Sequence, residues 1–290
     1  MLDPMHPVVV RALRPSVPPK LSVIVTTYNR PDALGKVLES LGRCPEDHFE
    51  VIVADDGSTE DTRDVIVGMK ARVAYPLRHV WQQDLGFRAG ASRNRAAAFC
   101  SAPYIVFLDG DCVVSADFIA AHVSLARKRC LVGGHRILLG PDLTNGILRS
   151  ELSIADLDDS SLGRWLWRRF TGEVTKVSAL FDPRPRIWPS HSPKRWRGVK
   201  SANVGMWRED LIAVNGFDES FQGWGYEDSD LMIRLMRNGI ARIDARHCCL
   251  VYHLWHREND RTRKQENLNR LQVSHRSPIR CEHGLDQHCA

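Results

Sequence analysis

The sequence lacks three features that would place the chain in a membrane, a secretory pathway or a disulfide scaffold. No apolar run approaches the roughly 18 residues that a membrane span needs. Residues 1–19 contain scattered prolines and no apolar signal-peptide core, so we interpret them as an irregular lead-in and predict a cytoplasmic protein. The eight cysteines are spread along the chain without the dense spacing of a secreted scaffold, which predicts reduced thiols.

A strong excess of one charge is also missing. The net charge of +5 is too small to indicate nucleic-acid binding by itself. The hydrophobic fraction of 43% and the charged fraction of 26% are typical of a globular chain, and 290 residues suffice for one large α/β domain. The segment 257–290 contains zinc-ligand residue types at Cys281, His283, His288 and Cys289, but their spacing matches no familiar zinc site. We therefore expect a disordered tail there.

Strand and helix patterns alternate through the first 130 residues. Strands are predicted at 21–27, 50–54, 77–81 and 104–108, and helices at 32–43, 58–70, 88–100 and 115–129, with Ser58 and Ser115 as N-caps. This alternation predicts an α/β fold with a mostly parallel, Rossmann-like sheet flanked by helices. Residues 140–200 show no clear alternation. A second ordered block begins at Ser201, with helices near 208–214 and 228–237 and a strand at 248–252.

Polar residues follow three of the predicted strands at the point where each ends. They are Thr26 and Tyr28, Asp56, and the pair Asp109 and Asp111 on either side of a glycine. A short Asp-Gly-Asp sequence is also typical of a simple turn. However, ligands of doubly wound sheets bind at the carboxyl ends of the strands, and paired carboxylates are suited to Mg²⁺ or Mn²⁺. The convergence of the three strand ends therefore favours a metal and nucleotide site.

The chain resembles family 2 glycosyltransferases, which have the GT-A fold. The resemblance in the nucleotide-sugar half lies in LSVIVTTYNRP at 21–31, VIVADDGST at 51–59 and FLDGD at 107–111. Residues 203–206, 216–219 and 223–230 resemble the acceptor half shared by β-1,4-galactosyltransferases and bacterial chondroitin-type polymerases. The resemblance implies one GT-A domain with a nucleotide-sugar-binding half at 20–130 and an acceptor-binding half at 131–256.

The resemblance also implies roles at the donor end of the site. Thr26, Tyr28 and Asp56 would hold the uracil and ribose of a UDP-sugar, with Asp56 accepting from the uracil N3–H. Arg88 would contact the base or the phosphates, although Arg88 and Arg93 on a solvated helix face remain an alternative.

A divalent cation, Mn²⁺ or Mg²⁺, is expected at the Asp-Gly-Asp motif. The resemblance implies that Asp111 contacts the cation most directly and that Asp109 contacts ribose or a metal-bound water. A third ligand is expected from the strand end near residue 253, where His253 is favoured over His256. The alternative is that both are polar surface histidines.

The acceptor half supplies the remaining catalytic prediction. By resemblance Asp228 is the base that takes the proton from the acceptor hydroxyl, Glu227 binds sugar hydroxyls, and Trp224 offers an aromatic face to a sugar ring. Two alternatives stay open, namely helix capping by the two carboxylates and core packing by Trp224. At position 226 the family often has glycine, whereas this chain has Tyr226, which is expected to narrow the acceptor pocket.

The segment 161–200 is rich in basic residues and contains four tryptophans, Trp165, Trp167, Trp188 and Trp196. Basic residues interleaved with tryptophan are suited to an anionic membrane surface or to a phosphorylated acceptor. A solvated loop with inward-packed tryptophans is the alternative. Nucleic acid is not expected as a partner, because the carboxylates at the strand ends would repel its backbone.

Together these features predict a metal-dependent, inverting glycosyltransferase. It would move a hexose or N-acetylhexosamine, with galactose or N-acetylgalactosamine favoured, from a UDP-sugar to a glycan or lipid-linked acceptor in surface polysaccharide or lipopolysaccharide biosynthesis. It would be cytoplasmic or peripheral on the inner face of the cytoplasmic membrane. The alternatives are a sugar nucleotidyltransferase and a catalytically silent glycan- or nucleotide-binding module.

Overall fold

A computed structural model describes residues 20–158, 161–176, 186–190, 196–245, 248–257 and 261–289. Within these ranges eight strands form one large sheet. Across the sheet their order is β3 (Leu77–Trp81), β2 (Phe49–Asp55), β1 (Leu21–Thr27), β4 (Tyr104–Asp109), β10 (Asn203–Trp207), β6 (Cys130–Gly133), β11 (Ala241–Asp244) and β9 (Arg186–Ser190).

The first four strands of the chain run parallel to one another, as the alternating pattern predicted. β10 enters the sheet antiparallel to both β4 and β6, while β11 is parallel to β6. The predicted α/β fold with a mostly parallel sheet is therefore confirmed, and β10 is the strand at which the direction changes.

Helices cover both faces of this sheet. The helices of the described residues are α1 (Pro31–Leu41), α2 (Glu60–Lys70), α3 (Ala89–Ala98), α4 (Phe118–Leu125), α5 (Pro141–Leu148), α6 (Leu162–Phe170), α7 (Arg208–Ala213), α8 (Glu227–Arg237) and α9 (Lys264–Ser274). Leu34 and Leu38 of α1 belong to one apolar cluster, and Leu231 and Leu235 of α8 belong to a second. With both faces covered, strands such as β1 are continuous apolar runs rather than alternating ones.

A second, four-stranded sheet lies beside the acceptor half. Its order is β5 (Cys112–Val114), β12 (Leu250–His253), β7 (His135–Leu139) and β8 (Val174–Lys176). β12 pairs antiparallel with β5, so that His253 lies opposite Cys112. The Leu254 N–H also donates to the Asp111 carbonyl at 2.8 Å. This sheet therefore holds the end of β12 against the Asp-Gly-Asp motif, although about 140 residues separate them in the chain.

Two predicted N-caps are wrong. α2 begins at Glu60 with Thr59 at the N-cap position, because the Ser58 hydroxyl instead accepts from the Asn29 N–H. α4 begins at Phe118 with Asp117 at the N-cap, and Ser115 donates its hydroxyl to the Asp117 carboxylate. In both cases a loop contact uses the serine that could have capped the helix.

The disordered tail expected at 257–290 is also wrong over its described residues. α9 packs there, and the buried Cys281 lies against the chain near Asn215. The His288 imidazole donates to the Glu219 carboxylate at 2.7 Å. The segment 140–200, for which no elements were predicted, contains α5, α6, β8, β9 and a 3₁₀ turn at Ile154–Leu157. Among the described helices, none combines the length and the apolar character needed to cross a membrane.

Candidate active site

A cleft of about 1090 Å³ opens at the carboxyl ends of the parallel strands. It receives side chains from β1, β4, β12 and the start of α8, which come from distant parts of the sequence. Ten of the predicted site residues line it: Thr26, Tyr28, Asp56, Asp109, Asp111, Trp224, Glu227, Asp228, His253 and His256. The location agrees with the rule that ligands of such sheets bind beyond the strand ends.

The glycine of the Asp-Gly-Asp motif is required by close backbone packing. Thr26 and Asp109 are paired across β1 and β4, and the Gly110 N–H donates to the Thr26 carbonyl at 2.7 Å. A Cβ at Gly110 would lie 2.8 Å from that carbonyl oxygen, closer than real Cβ contacts come. The glycine therefore lets β4 end against β1 with an aspartate on each side.

Asp56 lies at the donor end of the cleft in a mostly buried position. Its carboxylate accepts from the Gln82 amide at 2.6 Å and from the Arg88 N–H at 2.8 Å. Burial raises the pKa of Asp56 to about 6, against the lowering effect of these hydrogen bonds. Asp56 is therefore mainly ionised at neutral pH and becomes protonated as the pH falls below about 6.

Two neighbours of Asp56 differ in how they face the cleft. Tyr28 is half exposed, and its hydroxyl donates to Asp84 at 2.9 Å, a hydrogen bond that raises the tyrosine pKa. Arg88 is not among the residues that line the cleft, and its guanidinium donates to the Gln83 carbonyl at 2.9 Å. In this structure Arg88 approaches the site through its backbone N–H rather than through its charge.

Arg93 connects the donor and acceptor halves of the cleft. Its guanidinium donates to Thr26 Oγ1 at 3.0 Å, to Asp109 Oδ1 at 3.0 Å and to Glu227 Oε1 at 3.2 Å. The side chain is buried, so the solvated-helix-face alternative is wrong for Arg93. Since its three partners come from β1, β4 and α8, Arg93 fixes the Asp-Gly-Asp motif relative to the start of α8.

Asp111, His253 and His256 form a cluster that can hold a metal ion. One ligand atom from each lies within 4.8 Å of the others. Asp111 Oδ2 is 3.6 Å from His253 Nε2 and 3.2 Å from His256 Nε2. Burial acts to raise the Asp111 pKa, but the His256 hydrogen bond and the charge of His253 outweigh it and hold the pKa at about 2. The structure thus brings together both candidate histidines, not His253 alone.

Asp109 is not part of this cluster. Its carboxylate accepts from Arg93 at 3.0 Å, whereas the cluster consists of Asp111, His253 and His256. The expected division of roles, with Asp111 nearest to the cation, fits this arrangement but stays a prediction.

Glu227 and Asp228 lie in the first turn of α8, where the helix dipole favours carboxylates. Lys200 Nζ is 3.4 Å from Asp228 Oδ2, and Ser229 Oγ donates to Asp228 Oδ1 at 3.2 Å. Burial raises the pKa of Glu227, and the charge of Asp228 raises it further. The second oxygen of Glu227 is buried without a hydrogen-bond partner among the described residues.

The turn before α8 lines the cleft. Trp224 is partly exposed rather than a core residue, and the Arg261 guanidinium lies 4.7 Å from the centre of its ring. Tyr226 occupies the N-cap position with φ of 75°, the left-handed region that favours glycine. A glycine would adopt this backbone conformation most easily, but this chain has a tyrosine at the position.

Sequence reasoning missed the contributions of Arg93 and Lys200. The signal for Arg93 lay in its surroundings, because α3 consists mainly of alanine, glycine and serine, and such small residues indicate a helix packed closely on both sides. No local signal pointed to Lys200, which meets Asp228 only through the tertiary fold. Arg136, which also lines the cleft, has the carboxylates Asp109, Asp111 and Asp228 around it.

Comparison with known proteins assigns this chain to a family. Residues 22–176 match the family described as glycosyl transferase family 2, and residues 187–257 match the N-terminal domain of galactosyltransferase. The sequence is 34% identical to validoxylamine A glucosyltransferase of Streptomyces hygroscopicus subsp. limoneus, over 77% of this chain and 49% of that protein. It is 29% identical to hyaluronan synthase of Pasteurella multocida, over 76% of this chain and 23% of that protein.

The fold has solved counterparts. The structure of S. aureus TarS residues 1–349 in complex with UDP-GlcNAc superposes with a TM-score of 0.59, covering 93% of this chain and 70% of that one at 15% identity. This likeness confirms the GT-A fold. The chain spans about half the length, or less, of the curated relatives named above.

Proposed function

The chain belongs to glycosyl transferase family 2 and is a glycosyltransferase, and on that premise we propose that it moves a hexose or N-acetylhexosamine from a UDP-sugar to a hydroxyl group of a glycan or glycolipid. The observation that carries this proposal is the convergence of two sets of side chains in one cleft. Asp109, Asp111, His253 and His256 lie at its donor side, and Asp228 lies at its acceptor side. The family assignment favours glycosyl transfer over the sugar-nucleotidyltransferase alternative.

Donor recognition is proposed at the ends of β1 and β2. Asp56 in its ionised form can accept from the uracil N3–H, and the exposed ring of Tyr28 can lie against the base. Galactose and N-acetylgalactosamine are the first donors to test, because residues 187–257 match a galactosyltransferase domain. Glucose is the necessary comparison, because the validoxylamine relative is named a glucosyltransferase.

The donor set of the cluster fits Mn²⁺ better than Mg²⁺. One carboxylate and two imidazoles are acceptable to Mn²⁺, whereas Mg²⁺ strongly prefers oxygen ligands. Asp111, His253 and His256 would hold the cation, with Asp109 close by. When bound, a divalent cation supplies Lewis-acid stabilisation of the charge on a departing diphosphate.

Asp228 is the proposed general base. It takes the proton from the acceptor hydroxyl while that oxygen bonds to the anomeric carbon and the bond from that carbon to the UDP oxygen breaks. Lys200 and Ser229 hold the two carboxylate oxygens, so the carboxylate is oriented before the acceptor arrives. Attack from the side opposite to UDP inverts the anomeric centre, and an α-linked donor gives a β-linked product.

We further propose that the acceptor belongs to surface polysaccharide or lipopolysaccharide biosynthesis, and that the enzyme acts in the cytoplasm at the inner face of the cytoplasmic membrane. The support is the likeness to hyaluronan synthase, whose name describes a polysaccharide-forming activity. A lipid-linked saccharide would present its sugar end to the cleft while its lipid stays in the bilayer.

UDP release from a panel of UDP-glucose, UDP-galactose and their N-acetylated forms, each with Mn²⁺, Mg²⁺ or EDTA, tests the donor and the cation. We expect one donor to dominate and EDTA to abolish turnover. Asp228→Asn should lower kcat by about 10²- to 10⁴-fold without lowering the melting temperature. Turnover of Asp228→Asn near the wild-type level would remove Asp228 as the base, and no turnover with any donor would favour the catalytically silent module.

A further inference from the structure

Helix α6 carries its large apolar side chains on the face that points away from the protein. Leu166, Trp167 and Phe170 are 48%, 63% and 84% exposed. At about 100° of rotation per residue these three side chains lie next to one another on a single face. The Trp167 and Phe170 rings are in contact, with centroids 5.9 Å apart. A surface helix of a globular protein normally turns its apolar face to the core, so this exposed cluster indicates a binding surface.

The opposite face of α6 fixes this orientation. Trp165 is buried and stacks on Tyr252 of β12, with ring centroids 5.6 Å apart and planes 5° from parallel. Arg168 lies over the Trp165 ring at 5.1 Å and pairs with Glu173 at 3.7 Å. The helix is therefore anchored through Trp165, and rotation to bury Trp167 and Phe170 would break these contacts.

Arginines flank the exposed face. Arg164 and Arg169 are both exposed, and at about 100° per residue they lie on opposite sides of the apolar face. This is the arrangement of an interfacial helix, in which apolar side chains enter the acyl boundary and cations meet anionic headgroups on either side. A protein partner would be expected to cover the apolar face without requiring a cation along both of its edges.

The surface is connected to the acceptor side of the cleft. α6 leads through Gly172 into β8, and Thr175 of β8 lines the cleft. Tyr252, which stacks on Trp165, directly precedes His253 of the candidate metal cluster. These contacts connect the helix that would touch a bilayer to residues that line the cleft.

We propose that α6 is the membrane-docking surface of this protein and that it binds bilayers containing anionic phospholipid through Leu166, Trp167 and Phe170, flanked by Arg164 and Arg169. This narrows the interaction expected for residues 161–200 to one helix. Trp196 instead packs against the core near His275, and the Trp188 side chain lies outside the described residues. The proposed membrane binding does not depend on the proposed function. Only its purpose, which is to bring a lipid-linked acceptor to the cleft, rests on that function.

Co-sedimentation of the full chain with vesicles tests the proposal. Vesicles of phosphatidylcholine with added phosphatidylglycerol should bind the chain, and vesicles of phosphatidylcholine alone should bind it far more weakly. The double variant Trp167→Glu/Phe170→Glu should reduce binding by about tenfold or more. Arg169→Gln should reduce vesicle binding by about fivefold, and added salt should also reduce vesicle binding.

Val273→Glu is the matched control, because Val273 is 58% exposed on a different helix, α9. It should bind vesicles as the wild type does. UDP-sugar hydrolysis in the absence of vesicles should be unchanged in all of these variants, which separates this proposal from the proposed function.

Two outcomes would overturn the proposal. One is equal vesicle binding by the wild type and the Trp167→Glu/Phe170→Glu variant, with both chains folded. The other is a wild-type dimer in light scattering that the double variant converts to a monomer, which would assign the surface to a second copy of the chain.

Discussion

Replacement of Arg93 by methionine tests whether one buried cation holds the two halves of the site together. The Arg93 side chain is buried and donates to Thr26, Asp109 and Glu227 at 3.0, 3.0 and 3.2 Å. Methionine keeps most of the volume but leaves the Glu227 carboxylate buried without its cation. Breaking a buried ion pair in this way costs about 3–5 kcal/mol of unfolding free energy. At about 2–4 °C per kcal/mol, the melting temperature should fall by about 6–20 °C.

The double variant Arg93→Met/Glu227→Gln separates this effect from simple loss of packing. Removal of both charges leaves no uncompensated carboxylate at position 227, so a large part of the lost stability should return. Arg63→Met is the matched control. Arg63 pairs with Glu60 at 3.1 Å on the surface of α2, and its loss should change the unfolding free energy by no more than about 1 kcal/mol.

The pH dependence gives a further check. Burial already raises the pKa of Glu227, and loss of Arg93 should raise it further in the folded state. A carboxyl group with a raised folded-state pKa binds protons more readily when folded, so stability falls as the pH rises from the unfolded pKa to the folded one. The deficit of Arg93→Met should therefore be smaller near pH 5 than at pH 8. A melting temperature within about 2 °C of wild type, or no recovery in the double variant, would refute the reasoning.

Three more outcomes follow from the site. His253→Ala and His256→Ala should each raise the Mn²⁺ concentration needed for half-maximal UDP release by about tenfold or more, and an unchanged requirement in either variant would remove that histidine from the metal site. Because the pKa of Asp56 is about 6, the ionised form that we propose to accept from uracil is lost below that pH. The KM for the UDP-sugar should therefore rise on acidification, and Asp56→Asn should give a flat profile. Tyr226→Gly should raise the unfolding free energy by about 1 kcal/mol by relieving the left-handed backbone, whereas Tyr226→Ala, which keeps the strain, should not; denaturant melts distinguish the two.

Much of the fold was predictable because the signals are local. β1, β2 and β4 are mostly apolar runs buried on both faces, and such runs are visible in the sequence wherever helices cover a parallel sheet. Helix starts were less predictable. Ser58 and Ser115 are good N-cap residue types, yet each makes a loop contact instead, and the local sequence does not show which of the two hydrogen bonds a serine will make.

The candidate site was predictable where its residues lie in short local sequence motifs. Asp109-Gly110-Asp111 and Asp228 were identified from their positions in recognisable segments, and all of them line the cleft. The predicted charge contact of Arg88 is not seen, because its guanidinium reaches the Gln83 carbonyl outside the cleft lining. A side chain at the first turn of a helix can point in several directions, and packing around it selects one.

The sequence by itself determined which strands form and which carboxylates follow them, because apolar periodicity and chain-local motifs specify both. Only the tertiary structure decided the roles of single residues that lie outside such motifs. Arg93 became a link between β1, β4 and α8, and His256 joined His253 beside Asp111, because the two sheets bring together segments far apart in the chain. The same holds for α6, whose apolar face points outward because Trp165, on the other side of the helix, is buried against Tyr252.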